Sequence, residues 1–213
     1  MRRLPVYILL DTSGSMSGEP IEALKNGLKI LISTLNQDPY ALETAYLSII
    51  TFADYATQEI PLTELSDISI PSNIRAYGCT ALGKALSCVS KCIQNEVKTG
   101  SAEAKGDWKP LVFIMSDGEP TDNICNGLEE FKKIKKGIVV ACAAGENANT
   151  DVLKSITENV VSLNTIDTDT MKAFFKWVSA SVAASSVKVE DQGSEASSLD
   201  DLPPPPDEIN IVP

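Results

Sequence analysis

The sequence contains no histidine. That single absence removes Ser-His-Asp and Cys-His catalysis, imidazole-ligated zinc and the commonest general base. Cysteine is sparse and scattered: five residues, at 79, 88, 92, 125 and 142, with no Cys-x-x-Cys among them. An odd number without paired spacing argues against a disulfide framework and for free thiols in a reducing compartment, mostly packing groups. Cys88 and Cys92 stand four apart on an expected helix, but two thiols make a poor zinc site. No apolar run approaches the ~20 residues that span a bilayer, and the one after Arg2-Arg3 is too short for an export signal. No Walker-type phosphate loop is present. A cytoplasmic protein is expected.

A basic patch is also missing. The net charge is −11, from 29 acids against 18 bases, and seven of the acids lie beyond residue 188 with no base among them. The rest of the chain is therefore close to −4. Neither nucleic acid nor an anionic membrane suits such a surface, so protein partners are expected.

What is present is enough apolar sequence for one well-buried core: 213 residues, 43% of them hydrophobic. The stretch 6–18 stands out. An unbroken apolar run, Val6 to Leu10, stops at Asp11 and passes into Thr12-Ser13-Gly14-Ser15-Met16-Ser17-Gly18. That is the profile of a buried parallel strand opening into an oxygen-rich loop. Glu19-Pro20 then starts a helix whose apolar positions, Ile21 to Leu35, keep helical spacing. Residues 44–53 and 57–62 read as a hairpin, 66–80 as a surface loop and 81–97 as a helix.

Residues 110–115 form a second wholly apolar strand that also ends at an aspartate, in Ser116-Asp117-Gly118. Helices near 126–136, 150–158 and 169–184 alternate with strands at 138–144 and 160–163. This alternation predicts an α/β fold: a doubly wound, mostly parallel, Rossmann-like open sheet with one antiparallel edge strand. Ligands bind such sheets outside the carboxyl ends of the strands, where Asp11, Thr80 and Asp117 would lie.

From about Val187 the composition turns to acid, serine and glycine and then Pro203 to Pro206, which cannot bury enough surface to fold alone. We therefore divide the chain into a folded domain, 1–186, and an acidic, proline-rich tail, 187–213, disordered or docked on a partner. The apolar end, Ile209 to Val212, would suit strand addition to a sheet edge or a partner's groove.

Asp11, Ser13, Ser15, Thr80 and Asp117 supply two carboxylates and three hydroxyls, the ligand chemistry of a hard cation. Taken singly, Asp11 and Ser13 could cap the next helix and Asp117 could make a turn. Together they resemble the metal-ion-dependent adhesion site of von Willebrand factor A domains: Asp-x-Ser-x-Ser in one loop, Thr in a second, Asp in a third. The resemblance covers roughly residues 4–184. In finer texture the stretches 11–20, 38–45, 106–110 and 174–179 are similar to the TerY-type proteins of bacterial tellurite-resistance operons. It implies Mg2+, with Mn2+ or Ca2+ as alternatives, at Asp11, Ser13, Ser15, Thr80 and Asp117, the hydroxyls in contact directly or through water and the aspartates acting largely through water or switching between direct and water-mediated contact.

It further implies a non-enzymatic, cation-dependent protein-binding adaptor in a tellurite-resistance or stress-response system. A partner carboxylate would complete the metal shell, and an operon-associated kinase and phosphatase are implied partners. The cysteine-rich module that some TerY-type proteins carry has no counterpart after Cys142. Two other readings stand beside this one. A magnesium-dependent phosphohydrolase would also place an aspartate at a strand end, although Ser13 occupies the second position of an Asp-x-Asp pair. Alternatively the chain is a scaffold whose tail carries the recognition. Glu119 and Asp122 are expected to cap the helix that follows them rather than to tune the site.

Overall fold

The computed structural model describes residues 2–101, 104–117, 119–145, 148–196 and 198–213. Strand β1 (Leu4–Asp11) is buried along its whole length. Val6, Ile8 and Leu10 enter one hydrophobic layer and Tyr7 and Leu9 the other, because successive strand side chains point to opposite faces. A strand apolar on both sides belongs inside a parallel sheet. It lies between β2 (Ala45–Phe52) and β4 (Leu111–Ser116) and is parallel to both. β5 (Val139–Ala144) and β6 (Val160–Leu163) continue the parallel series.

The sheet order is β3-β2-β1-β4-β5-β6-β7. β3 (Ala56–Glu64) supplies the expected antiparallel edge through its hairpin with β2. A second antiparallel strand, β7 (Ile209–Ile211), closes the opposite edge against β6. One such strand was expected; the other comes from the tail, whose pairing is non-local.

Helices α1 (Glu19–Leu35), α2 (Pro39–Thr44) and α6 (Thr168–Asp191) cover one face. The other is covered by α3 (Leu82–Glu96), α4 (Cys125–Lys133) and α5 (Thr150–Ile156). The short α2 lies between the first expected helix and the strand expected from residue 44, where no element was expected. Asp38 caps it by accepting from the Ala41 amide at 2.8 Å, with Pro39 in the first turn. Of the thiols expected to pack, Cys92 and Cys142 are buried and Cys88 half-buried, but Cys79 and Cys125 are exposed.

α6 begins at a capping box: Asp167 accepts from the Asp169 and Thr170 amides while the Thr170 hydroxyl returns to the Asp167 amide. Hydrogen bonds from Thr165 and Thr170 hold the Asp167 carboxyl down to about 2. A depressed carboxyl stabilises the fold above its ordinary value near 4 and loses that contribution as pH falls toward 2. Asp167→Ala should cost about 1 kcal/mol at neutral pH, read from urea denaturation, with the difference from wild type shrinking below pH 3.

The helix passes its expected end near Ala184 and runs to Asp191 because Val189 is buried and Lys188 pairs with Asp201. The chain then turns back. Ala196, Leu202 and Ile209 are buried against the domain, and the Trp177 indole N–H donates to the Pro203 carbonyl at 2.8 Å. The segment that composition marks as unable to fold alone thus folds on its own sheet. Its interactions, an indole to a proline carbonyl and a three-residue ladder, are fixed by tertiary contact and not by local sequence.

Candidate metal centre

The strand order reverses direction at β1: the chain goes from β1 to β2 on one side, and β4 lies on the other. Such a switch point opens a crevice at the carboxyl ends of the two central strands. Asp11 is the last residue of β1 and Ser116 the last of β4, and the register that pairs Leu10 with Met115 sets them level. The Ser116 hydroxyl donates to Asp11 Oδ2 at 2.7 Å, and the Ser13 amide donates to Asp11 Oδ1 at 2.8 Å. Ser13 then precedes a 3-10 turn, Gly14–Met16, whose tight geometry brings the Ser13 and Ser15 hydroxyls to 2.9 Å. The Ser15 hydroxyl in turn donates to Asp117 Oδ1 at 2.9 Å. Four of the five expected residues are therefore joined in one hydrogen-bonded chain across two loops. Gly18 ends the first loop at φ +89°, a conformation that favours glycine, and turns the backbone into α1.

Thr80 arrives by its loop. The Gly14 amide donates to the Gly78 carbonyl at 3.0 Å and the Tyr77 amide to the Thr12 carbonyl at 2.9 Å, pinning the second loop on the first. On its other side, the Thr80 amide donates to the Thr121 hydroxyl and the Thr121 amide to the Thr80 carbonyl, at 3.1 and 2.9 Å. Thr80 is buried at this three-loop junction. Among the described residues, no hydrogen bond links its hydroxyl to the other four. Gly118, the expected turn glycine, lies outside the described residues.

Three supporting residues escaped sequence reading: Ser116, Thr121 and, in its actual role, Asp122. Asp122 does not cap the helix that follows it. Its two oxygens accept from the Gly83 and Lys84 amides at 3.0 and 2.9 Å, capping α3, which begins after Ala81 with no capping side chain of its own. The signal was there as that missing cap, but not the identity of the remote carboxylate that accepts from its amides. Glu119 is likewise no cap: it accepts from the Asn149 amide group at 2.6 Å.

Burial pushes both Asp11 and Asp117 above the ordinary carboxylate range. At Asp11 the bonds from Ser13 and Ser116 oppose this, and the nearby Asp117 charge adds to it. Neither forms an ion pair with lysine or arginine among the described residues. Taking a carboxylate out of water without a counter-charge is expensive. The donor set is all oxygen, and among the described residues no group of three or more His, Cys, Asp or Glu is placed to hold a metal ion. Such a set suits a hard divalent cation and not a thiolate or imidazole metal.

Residues 6–176 match the von Willebrand factor type A domain. An uncharacterized protein of Synechocystis sp. is 29% identical over 164 residues, which cover 73% of this chain and 36% of that protein. The chain thus spans about a third of the length of the curated relative it matches. Among solved structures, a von Willebrand factor type A protein from Catenulispora acidiphila aligns with TM-score 0.65 at 17% identity, covering 86% of this chain and 43% of that one. Proximal thread matrix protein 1 from the mussel byssus, described with a zinc-occupied MIDAS motif, aligns with TM-score 0.61 at 18% identity, covering 85% and 48%. BatB from Bacteroides thetaiotaomicron gives 0.54 at 17%, covering 83% and 97%. At these identities the structural likenesses bear on the fold alone.

Proposed function

Because the chain belongs to the von Willebrand factor type A domain family, we propose that it is a divalent-cation-dependent protein-binding module. Asp11, Ser13, Ser15, Thr80 and Asp117 would hold the ion. One observation carries this reading: two buried carboxylates, tied together through the Ser13 amide and the Ser13 and Ser15 hydroxyls, with no basic side chain neutralising them among the described residues. A bound cation would supply the missing counter-charge. The zinc-occupied motif of the mussel protein lends support by analogy.

Mg2+ is the ion we favour, with Mn2+ and Ca2+ as alternatives, since magnesium keeps waters and needs few protein carboxylates. When bound, the ion would offer a Lewis-acidic position that a partner's Asp or Glu completes. The chain's own residues fix the loops, keep water from Asp11 and space the hydroxyls. A binding module needs no proton shuttle, and the chain has no histidine to act as one. The likeness to TerY-type proteins extends the proposal to a cytoplasmic adaptor of a bacterial tellurite-resistance or stress-response system, with a kinase and a phosphatase as partners. No described helix is long and apolar enough to cross a membrane.

The test is calorimetric titration of Mg2+, Mn2+ and Ca2+ into chelator-stripped protein beside Asp11→Ala. Saturable binding to wild type and none to the variant is the expected result. Equal heats from both would sink the assignment of the ion to these residues.

A further inference from the structure

Resting on the metal reading above, we propose that the groove between α3 and α4 receives an extended acidic segment of the same partner whose carboxylate completes the ion's shell. The groove is a cavity of about 580 Å³ with Tyr55, Lys84, Ser87, Lys91, Asn123 and Asn126 among its walls. It continues into a cavity of about 340 Å³ that shares Tyr55, Lys84 and Asp122 with it. Cys79, Ala81 and Thr121 wall that second space, the two chain neighbours of Thr80 and its hydrogen-bonded partner. The path therefore begins at the metal loops and runs down α3.

Its charge is opposite to that of the molecule. The chain carries −11 overall, yet the groove presents two exposed lysines, Lys84 and Lys91. Of the two acids along the path, Asp122 has both oxygens engaged by the Gly83 and Lys84 amides, and Asp54, in the second cavity, accepts from the Cys79 amide at 2.8 Å. Lys84 is held at the mouth: its Nζ donates to the Asp54 carbonyl at 2.8 Å and sits 4.7 Å from the Tyr55 ring centre. An ammonium has three donors, so others remain for a ligand. Tyr55 is 68% exposed, the most open of the large apolar side chains among the described residues. Ser87, Asn123 and Asn126 add neutral groups able to bond a peptide backbone.

Spacing defines the ligand further. Lys84 and Lys91 are seven positions apart, about 10 Å along α3 at 1.5 Å per residue. An extended peptide rises about 3.3 Å per residue, so acids three apart would match the two lysines. The fitting partner is an acid-x-x-acid strand, with a further carboxylate at its metal-side end left for the ion.

A fluorescein-labelled decaglutamate, with a neutral Ser-Gly decapeptide as control, provides the probe. Anisotropy is read in Mg2+ on wild type and on the double variant Lys84→Glu, Lys91→Glu, while calorimetry follows Mg2+ binding to each. Wild type should bind decaglutamate and ignore the control, and the double variant should lose at least tenfold in peptide affinity with its Mg2+ binding unchanged. Tyr55→Ala, at an exposed position, should weaken the peptide severalfold, again without touching the ion. Peptide binding indifferent to the lysines, or none at all in a wild type that binds Mg2+, overturns the groove. Absence of Mg2+ binding by wild type overturns the metal reading instead.

Discussion

Asp117→Asn should leave the cation-free protein at least as stable as wild type while erasing the stabilisation that divalent cations bring. The amide keeps an oxygen that can accept from Ser15, which donates to Asp117 at 2.9 Å, and it removes one of two charges that burial disfavours. The sign with pH follows from the direction of the shift. A carboxyl raised in the folded state contributes stability in full below its unfolded value near 4, and that contribution is lost as pH rises through the raised value. Cation-free wild type should therefore gain stability on mild acidification, and the variant should gain less. With cation present the order reverses, because only the carboxylate form binds. At a concentration a hundredfold above Kd, an ion specific to the native state adds about 2.7 kcal/mol. For a chain of this size that is a melting-temperature rise of roughly 5–10 °C. Thermal denaturation of both proteins with and without Mg2+ decides it: an undiminished rise in the variant would remove Asp117 from the site.

Gly127→Ala should be among the most damaging small substitutions in the chain. A Cβ at Gly127 would lie 2.1 Å from the Gly83 carbonyl oxygen and 2.9 Å from its carbon. Both obstacles are backbone of the facing helix, so nothing can rotate aside and α3 and α4 must separate. Overpacking of this kind costs ~1–3 kcal/mol and sometimes more, against ~1 kcal/mol that alanine gains over glycine in a helix. We expect a net loss of about 2 kcal/mol in urea denaturation. Gly27 offers the contrast. Its added Cβ would also meet an atom at 2.1 Å, but that atom belongs to the Phe175 ring, which can shift. Gly27→Ala should cost less, and a Phe175→Leu background should relieve it. A Gly127→Ala loss no larger than that at Gly27 would contradict the rigid-contact argument.

The strands, most helices and the two aspartates at strand ends were legible because their signals are local. Val6 to Leu10 and Leu111 to Met115 are continuous apolar runs, the first followed directly by Asp11 and the second by Ser116-Asp117, and the sheet places both ends level. What could not be read is non-local. Asp122 caps a helix 38 residues behind it, at Lys84, so proximity in sequence pointed to the wrong helix. Ser116 is a strand-end serine like many others until the register brings Asp11 beside it. In the tail, acid and proline describe a segment that cannot fold by itself, and the apolar end suggested strand addition without saying that the edge would be the chain's own β6.

That edge has a consequence for how molecules of this protein meet. β6 brings Val160, Val161 and Leu163 to the rim of the sheet, and a bare rim of that kind templates lateral growth with another chain. β7 takes up the ladder, and the Val212 amide extends it with a bond to the Val160 carbonyl at 2.9 Å. The rim that faces outward afterwards is only three residues long, and the approach to it runs through Pro203 to Pro206, which have no N–H to offer an incoming strand. The last residues thus act as a chain terminator for the sheet, setting its width at seven strands.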